Sequence, residues 1–546
     1  MLSLFQKLIL LCCFSFFCEI LRAQDNLPQD YLSPQFHKGR REAARALMPD
    51  SSVLVVFAAP TRTFSNDVEY LYHQNPDLYY FTGYKEPHAL LFLFKDAQTT
   101  TDGKTYNEIF FVQKRDARAE QWTGRRLGAE GVKEKLQIQQ VYNGDAFKDF
   151  RLDLKSIKSI SYQLPDGVTD NTNDSADLFD LVTAFRQKAA VPADYSPVLY
   201  DDLKLFSLHA SPSNLNQILD YFKEKQNANE LYRKNTLVQS ILQVKDSVGI
   251  NKVRNIIKKE TEAFSAYQTI TAALREIKTP EELYLIRKAV EISCAGQNEV
   301  MKTVHADMSE LEIQGLHEYV HKKYGAEGVG YGSIVGAGEN GCVLHYMENT
   351  KTRVGNDMLL MDVGAEYHGY TADVTRTIPA DGKFSVEERA IYQLVYNAQE
   401  AAFKILKDGA MWNDASKAAK DVIATGLLKL GITKSITDVN KYYPHGLGHH
   451  IGLDVHDKSE SQVLKKGMVI TIEPGIYIPS DSDCDKKWWG IAVRIEDDAL
   501  IRENDYELLS VSSPRSIEAI ERLIAEKSVL DNYKLPTLKT AVKKAF

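Results

Sequence analysis

Cysteine is scarce in this sequence. The chain has six in 546 residues, and three of them, Cys12, Cys13 and Cys18, crowd into one N-terminal apolar run. The others, Cys294, Cys342 and Cys484, are far apart and form no CxxC spacing, which excludes a disulfide framework and a thiolate metal site. Positive charge is lacking too. The formal net charge is −8, so nothing supports nucleic-acid binding. No later segment approaches the ~18 consecutive apolar residues that mark a transmembrane helix, so no membrane anchor is expected. Internal repeats and low-complexity stretches are absent by eye. What remains, 44% hydrophobic and 10% aromatic, is an ordinary globular composition. Its length calls for two or three domains.

The N-terminus stands apart. Lys7 precedes the apolar run LILLCCFSFF, and Ala23 lies just before Gln24. This pattern predicts a secretory signal peptide over residues 1–23 and an exported protein, periplasmic or secreted. Leu21 fits the small-residue rule poorly, which blurs the cleavage site by a few residues. No small residue precedes Cys12, Cys13 or Cys18, which argues against a lipid anchor.

Residues 24–200 alternate strand-like runs (SVLVVFAA, ALLFLF, EIFFV, SISYQL) with helix-like ones (HKGRREAARALM, ADLFDLVTAFRQ), as an α/β domain does. Residues 201–275 are polar, nearly free of glycine and helically periodic, and are expected to form a helical connecting segment. A further domain begins where TPEEL supplies an N-cap and a first-turn proline. It spans residues 276–520, followed by a charged tail over 521–546.

That last domain carries five potential metal ligands in order: Asp362 in LLLMDVGAEY, Asp373 in GYTADVTRT, His449 in HGLGHHIGLDVHD, Glu473 in ITIEPGIY and Glu496 in AVRIEDD. Two bare charges about 4 Å apart repel by roughly 4 kcal/mol at an effective dielectric of ~20. Four gathered carboxylates therefore call for cations, and the chemistry such a set suits is two-metal hydrolysis. Met358 to Thr377 reads as a hairpin. With Tyr367 and His368 as its loop, Asp362 and Asp373 would face each other directly across the two strands. In the strand-like run IAVRIEDD, Arg494 and Glu496 share a face; in MVITIEPG, Thr471 and Glu473 do, and Pro474 ends the strand. HGLGHHIGLDVHD holds His445, His449, His450 and His456 among glycines that argue against a helix, so it reads as a loop entering a strand. Sequence alone leaves His449 and His450 equally eligible as the ligand.

These five motifs in this order resemble the pita-bread metallopeptidases. The similarity extends to GENGCVLHYMEN and DGKFSVEERAIYQLV. In the N-terminal half, EYLYHQNPDLYYFTGYKEPHALL and EQWTGRRLG resemble aminopeptidase P more than prolidase, and the match as a whole is specific to the branch that holds both. The resemblance implies an α/β N-terminal domain followed by an α+β pita-bread catalytic domain. It also implies two divalent metal ions, Mn²⁺ suiting the oxygen-rich set better than Zn²⁺ or Co²⁺. By the same match His449 is the imidazole ligand. Asp362 would hold one ion, His449 and Glu473 would complete the other, and Asp373 and Glu496 would bridge both.

Further roles follow from the resemblance. Glu473 is the expected general base, His345 and His456 contact substrate and help in proton transfer, and His445 lies beside the scissile bond. Tyr477 and Arg494 line the site. Trp122 matches an aromatic that reaches a neighbouring subunit's site in tetrameric relatives, so a homo-oligomer, dimer or tetramer, is expected. The implied activity releases the first residue from peptides with proline second. Two rivals remain: prolidase, which takes X-Pro dipeptides, and a non-catalytic pita-bread domain that only binds peptide. The second is marked by lost ligands, and all five are present here.

Overall fold

A computed structural model describes residues 28–99, 103–170, 176–191 and 195–532. The expected signal peptide, its cleavage site and residues 533–546 of the tail lie outside the described residues. Among those described, no helix is long and apolar enough to cross a membrane, and Cys294, Cys342 and Cys484 are free thiols.

The N-terminal domain is built on a five-stranded mixed sheet in the order Val141–Asn143, Thr105–Val112, Leu90–Thr99, Ser52–Phe57, Ser159–Tyr162. The two central strands pair antiparallel, with Val53 opposite Phe94 and Phe57 opposite Leu90. Ser52–Phe57 is buried along its whole length, as a continuous apolar run covered on both faces should be. The helix Pro34–Leu47 starts with Ser33 as N-cap and proline in its first turn. It is pinned to the sheet by Arg41, whose guanidinium pairs with Glu108 at 2.9 Å and donates to the Phe81 carbonyl.

Six helices follow, from Pro197–His209 to Glu262–Arg275. The periodic run VGINKVRNIIKKETEAFSAY forms two of them, separated at Thr261. They close on themselves through polar pins: Asp202 accepts from Tyr221 and Tyr232, and Arg254 donates to the carbonyls of Ser207 and Ala210. The final helix lies against the strand Ser159–Tyr162.

The C-terminal domain opens with the helix Pro280–Thr303. Thr279 accepts from the Glu282 backbone while the Glu282 carboxylate accepts from that of Thr279, the reciprocal capping box that TPEEL predicts. The domain's strands form short antiparallel sheets. One joins Val374–Pro379, Met358–Val363 and Ile334–Ala337, and another joins Val469–Ile472, Asp497–Ile501 and Tyr506–Leu508. Helices Val386–Phe403 and Trp412–Lys429 pack on each other outside them. Beyond residue 520 the chain continues as part of the helix Ile517–Ile524, and Ser528 donates to Glu299. The apolar core of the N-terminal domain runs on into Tyr370, Ile451 and Leu453, so the two domains meet around the elements that carry the site.

Candidate active site

The expected hairpin is present, but its register is shifted. Its loop is His368-Gly369, both at positive φ (52° and 87°), with Tyr367 opposite Tyr370. Two left-handed residues make the tight turn whose twist matches its strands. Asp362 therefore faces Thr375, and not Asp373 as the Tyr367-His368 loop predicted. A slip of two residues keeps every side chain on its own face, so the two aspartates still meet, diagonally. The Tyr331 hydroxyl joins them, 2.5 Å from an oxygen of each. Sequence reasoning passed over Tyr331. Its one local signal is glycine on both sides, and a Cβ at Gly330 would lie 1.8 Å from Thr371 Oγ1.

The histidine motif is irregular backbone laid antiparallel against the strand Val469–Ile472. It touches that strand through one isolated bridge, His450 to Ile470, and Thr471 and Glu473 donate to the carbonyls of His449 and Leu447. Gly448 permits the approach, since a Cβ there would meet the Thr471 carbonyl oxygen at 2.1 Å. His449 Nδ1 lies 3.0 Å from the His450 carbonyl, which assigns the proton to Nδ1 and leaves the Nε2 lone pair free. That nitrogen faces Asp373 at 3.5 Å and Glu473 at 3.6 Å. His450 faces away from these carboxylates, its Nδ1 buried without a partner.

Two buried glutamines brace the two halves of the domain in the same way. Gln297 donates to the carbonyls of Met361 and Val374, which adjoin the candidate ligands Asp362 and Asp373. Gln399 donates to those of Ile472 and Ile495, which immediately precede the candidate ligands Glu473 and Glu496. Each amide nitrogen thus satisfies two buried backbone carbonyls beside the carboxylates. Thr375 completes the frame by donating to Glu496 at 2.7 Å.

The five residues line one cavity of about 400 Å³ with His345, His445 and His456. Asp373, His449 and Glu496 each offer a ligand atom within 4.8 Å of the others. Asp362 is drawn towards Arg494, 2.6 Å away. Burial and the neighbouring carboxylates push Asp373 and Glu496 well above the ordinary carboxylate range, and burial lifts Glu473 to about 6. Asp362 behaves oppositely: burial would raise it, but the Arg494 guanidinium and Tyr331 hold it below its usual value. Asp498 beneath them, which accepts from the Asp373 backbone, is raised by burial to about 8. Four clustered carboxylates, three of them pushed towards their neutral forms by burial and mutual repulsion, together with one free imidazole nitrogen fit divalent cations that would relieve that repulsion.

The flanking residues also converge. His445 Nε2 lies 2.8 Å from the Tyr477 hydroxyl, which accepts from Arg494 at 2.8 Å. The His456 ring packs edge-on against that of His449, 4.2 Å between centroids. His345 is exposed at the cavity mouth. Trp122 is not part of this cavity. It sits on the short helix Ala117–Thr123, 85% exposed.

Two family models match the chain: metallopeptidase family M24 over residues 284–503 and the aminopeptidase P N-terminal domain over residues 37–160. The Xaa-Pro aminopeptidase of Escherichia coli is 32% identical over 505 residues, covering 90% of this chain and 98% of the relative. Human Xaa-Pro aminopeptidase 3 is 28% identical, with 90% and 84% covered. Intermediate cleaving peptidase 55 of Saccharomyces cerevisiae is 29% identical, also with 90% and 84% covered. Among solved structures, aminopeptidase P from E. coli with the inhibitor Pro-Leu superposes with a TM-score of 0.69 at 29% identity, over 90% of this chain and 98% of that one. The family brings peptide substrates and divalent metal ions with it. On this evidence the chain belongs to the M24 metallopeptidases, as a metallo-exopeptidase that couples an aminopeptidase P N-terminal domain to a pita-bread catalytic domain.

Proposed function

We propose that this enzyme removes the N-terminal residue from peptides with proline in the second position, using two divalent ions held by Asp362, Asp373, His449, Glu473 and Glu496. The observation that carries the reading is the convergence of these residues, with three further histidines, on one cavity. Relatives named Xaa-Pro aminopeptidase support the proline preference. Bound there, the two ions supply Lewis acidity towards the scissile carbonyl and acidify a water, with Mn²⁺ the best match to the oxygen-rich donors and Zn²⁺ or Co²⁺ the alternatives.

The protein groups divide the remaining work. Glu473 takes the proton of the attacking water. An X-Pro bond is a tertiary amide without an N–H, so its nitrogen leaves only once protonated; His345 and His456, which line the cavity, deliver that proton in this reading. His445, Tyr477 and Arg494 form a hydrogen-bonded row along the wall that receives the substrate. Trp122, exposed on its own subunit, serves the site of a neighbour in a homo-oligomer, and residues 1–23 direct export. N-terminal sequencing of protein from the native host tests the last point: a start near Gln24 supports it, and a chain beginning at Met1 opposes it.

The activity is tested by kcat/KM for X-Pro-Y, X-Pro and X-Ala-Y peptides with Mn²⁺ present. The first should be the best substrate and the last poor. A tenfold advantage for the dipeptide, about 1.4 kcal/mol of transition-state preference, would make the enzyme a prolidase.

A further inference from the structure

We infer that Arg275, at the end of the helical segment, is a positioning residue that holds His449 in its ligand orientation. The inference rests on the metal-site reading above. Arg275 is buried and bridges two domains. Its Nη1 donates to Asp77 at 2.8 Å, at the start of the N-terminal domain's helix Pro76–Thr82. Its Nη2 lies 2.5 Å from Asp457 Oδ1.

Asp457 follows His456 and acts on the ligand loop through its backbone. Its N–H donates to the His450 carbonyl at 2.8 Å, and the same carbonyl receives His449 Nδ1. Arg275, Asp457, the His450 carbonyl and His449 Nδ1 therefore form one unbroken series of polar contacts that fixes the ring whose other nitrogen, Nε2, faces the carboxylates. Supports crowd around it. Lys278 Nζ reaches Asp457 Oδ2 at 2.7 Å. Lys458 and Tyr267 reach Asp77 at 2.6 and 2.8 Å. Gly452 is required as glycine, because a Cβ there would lie 2.2 Å from Asp457 Oδ2. Contacts beyond a metal ligand commonly set its orientation and affinity, and here they originate in another domain.

The test uses Arg275→Lys in the full-length chain. This keeps the charge but removes the fork that spans two carboxylates. Arg41→Lys is the control, since Arg41 is an equally buried fork whose partners all lie in the N-terminal domain. Chelator-stripped protein is titrated with Mn²⁺ by calorimetry, and Co²⁺-loaded protein is read by its visible absorption. Arg275→Lys should weaken the His449-dependent equivalent about tenfold and change the Co²⁺ spectrum, while Arg41→Lys does neither. In a His449→Ala background, Arg275→Lys should have no further effect on Mn²⁺ uptake. Affinity within twofold of wild type, an equal effect from Arg41→Lys, or a full effect without His449 would each overturn the inference. If Arg275→Lys does not fold, Asp77→Asn, which frees the other arm of the fork, is expected to give the same loss. Wild-type protein that takes up no Mn²⁺ would overturn the metal reading and this inference together.

Discussion

Arg494 Nη2 lies 2.6 Å from Asp362 Oδ2 in the floor of the cavity. One carboxylate of the cluster thus has a protein cation of its own, and the same guanidinium holds the Tyr477 hydroxyl through Nη1. Arg494→Gln should lower kcat/KM by about 10- to 100-fold, the range typical when a partner of a metal ligand is lost. Because the change also frees Tyr477 and His445, KM should rise as well as kcat fall. Steady-state kinetics across a Mn²⁺ titration check both parts.

Asp373 is central to the cluster, facing Tyr331, His449 and the Asp498 carboxylate. Asp373→Ala should lose both ions and essentially all activity, as measured by metal content per chain after gel filtration. Chelator should abolish wild-type activity and Mn²⁺ restore it.

Stability should respond to pH in a defined direction. In the metal-free protein Glu473 is raised to about 6 and Asp498 to about 8. A carboxylate raised by folding contributes stability below its unfolded pKa and loses it as pH rises through the folded one. Metal binding displaces such protons. The gain in Tm on adding saturating Mn²⁺ should therefore grow from pH 5 to pH 8, and Mn²⁺ uptake should release protons, seen as a dependence of calorimetric heat on buffer. A gain in Tm independent of pH would contradict the electrostatic picture.

Gly448→Ala should damage the site without touching a ligand. Its Cβ would collide with the backbone oxygen of Thr471 in the strand Val469–Ile472, and such overpacking costs about 1–3 kcal/mol. Chemical denaturation should show that loss, together with weaker metal binding through His449.

Thr279→Ala removes one arm of the capping box on Pro280–Thr303 and should cost about 1 kcal/mol. Metal content should remain unchanged, which separates domain stability from site geometry.

Local chemistry made several of these features legible in sequence. TPEEL announced its helix, the apolar runs of the N-terminal domain became its strands, and four carboxylates within apolar segments marked the site. The hairpin was found but misregistered, because a histidine at positive φ was not anticipated. Gly369 beside it was the available signal. Tyr331, Asp498 and the Arg275 series left little trace, since their partners lie tens to hundreds of positions away. Nor do the paired roles of Gln297 and Gln399 show as a sequence repeat, because the two halves share a bracing contact and little else by eye.

The far end of the hairpin that carries Asp362 and Asp373 is clasped by the start of the described chain. Asp30 accepts from Tyr367 at 2.7 Å and meets His368 Nε2 at 2.9 Å, and Tyr31 stacks on the His368 ring. The proposed removal of residues 1–23 would therefore have an inner boundary. Trimming that stops short of Asp30 keeps the clasp, whereas removal of Asp30 and Tyr31 unfastens the tip of the hairpin and, through its arms, the two aspartates. Chains starting at Gln24 and at Leu32 should thus differ in metal retention although both keep every ligand.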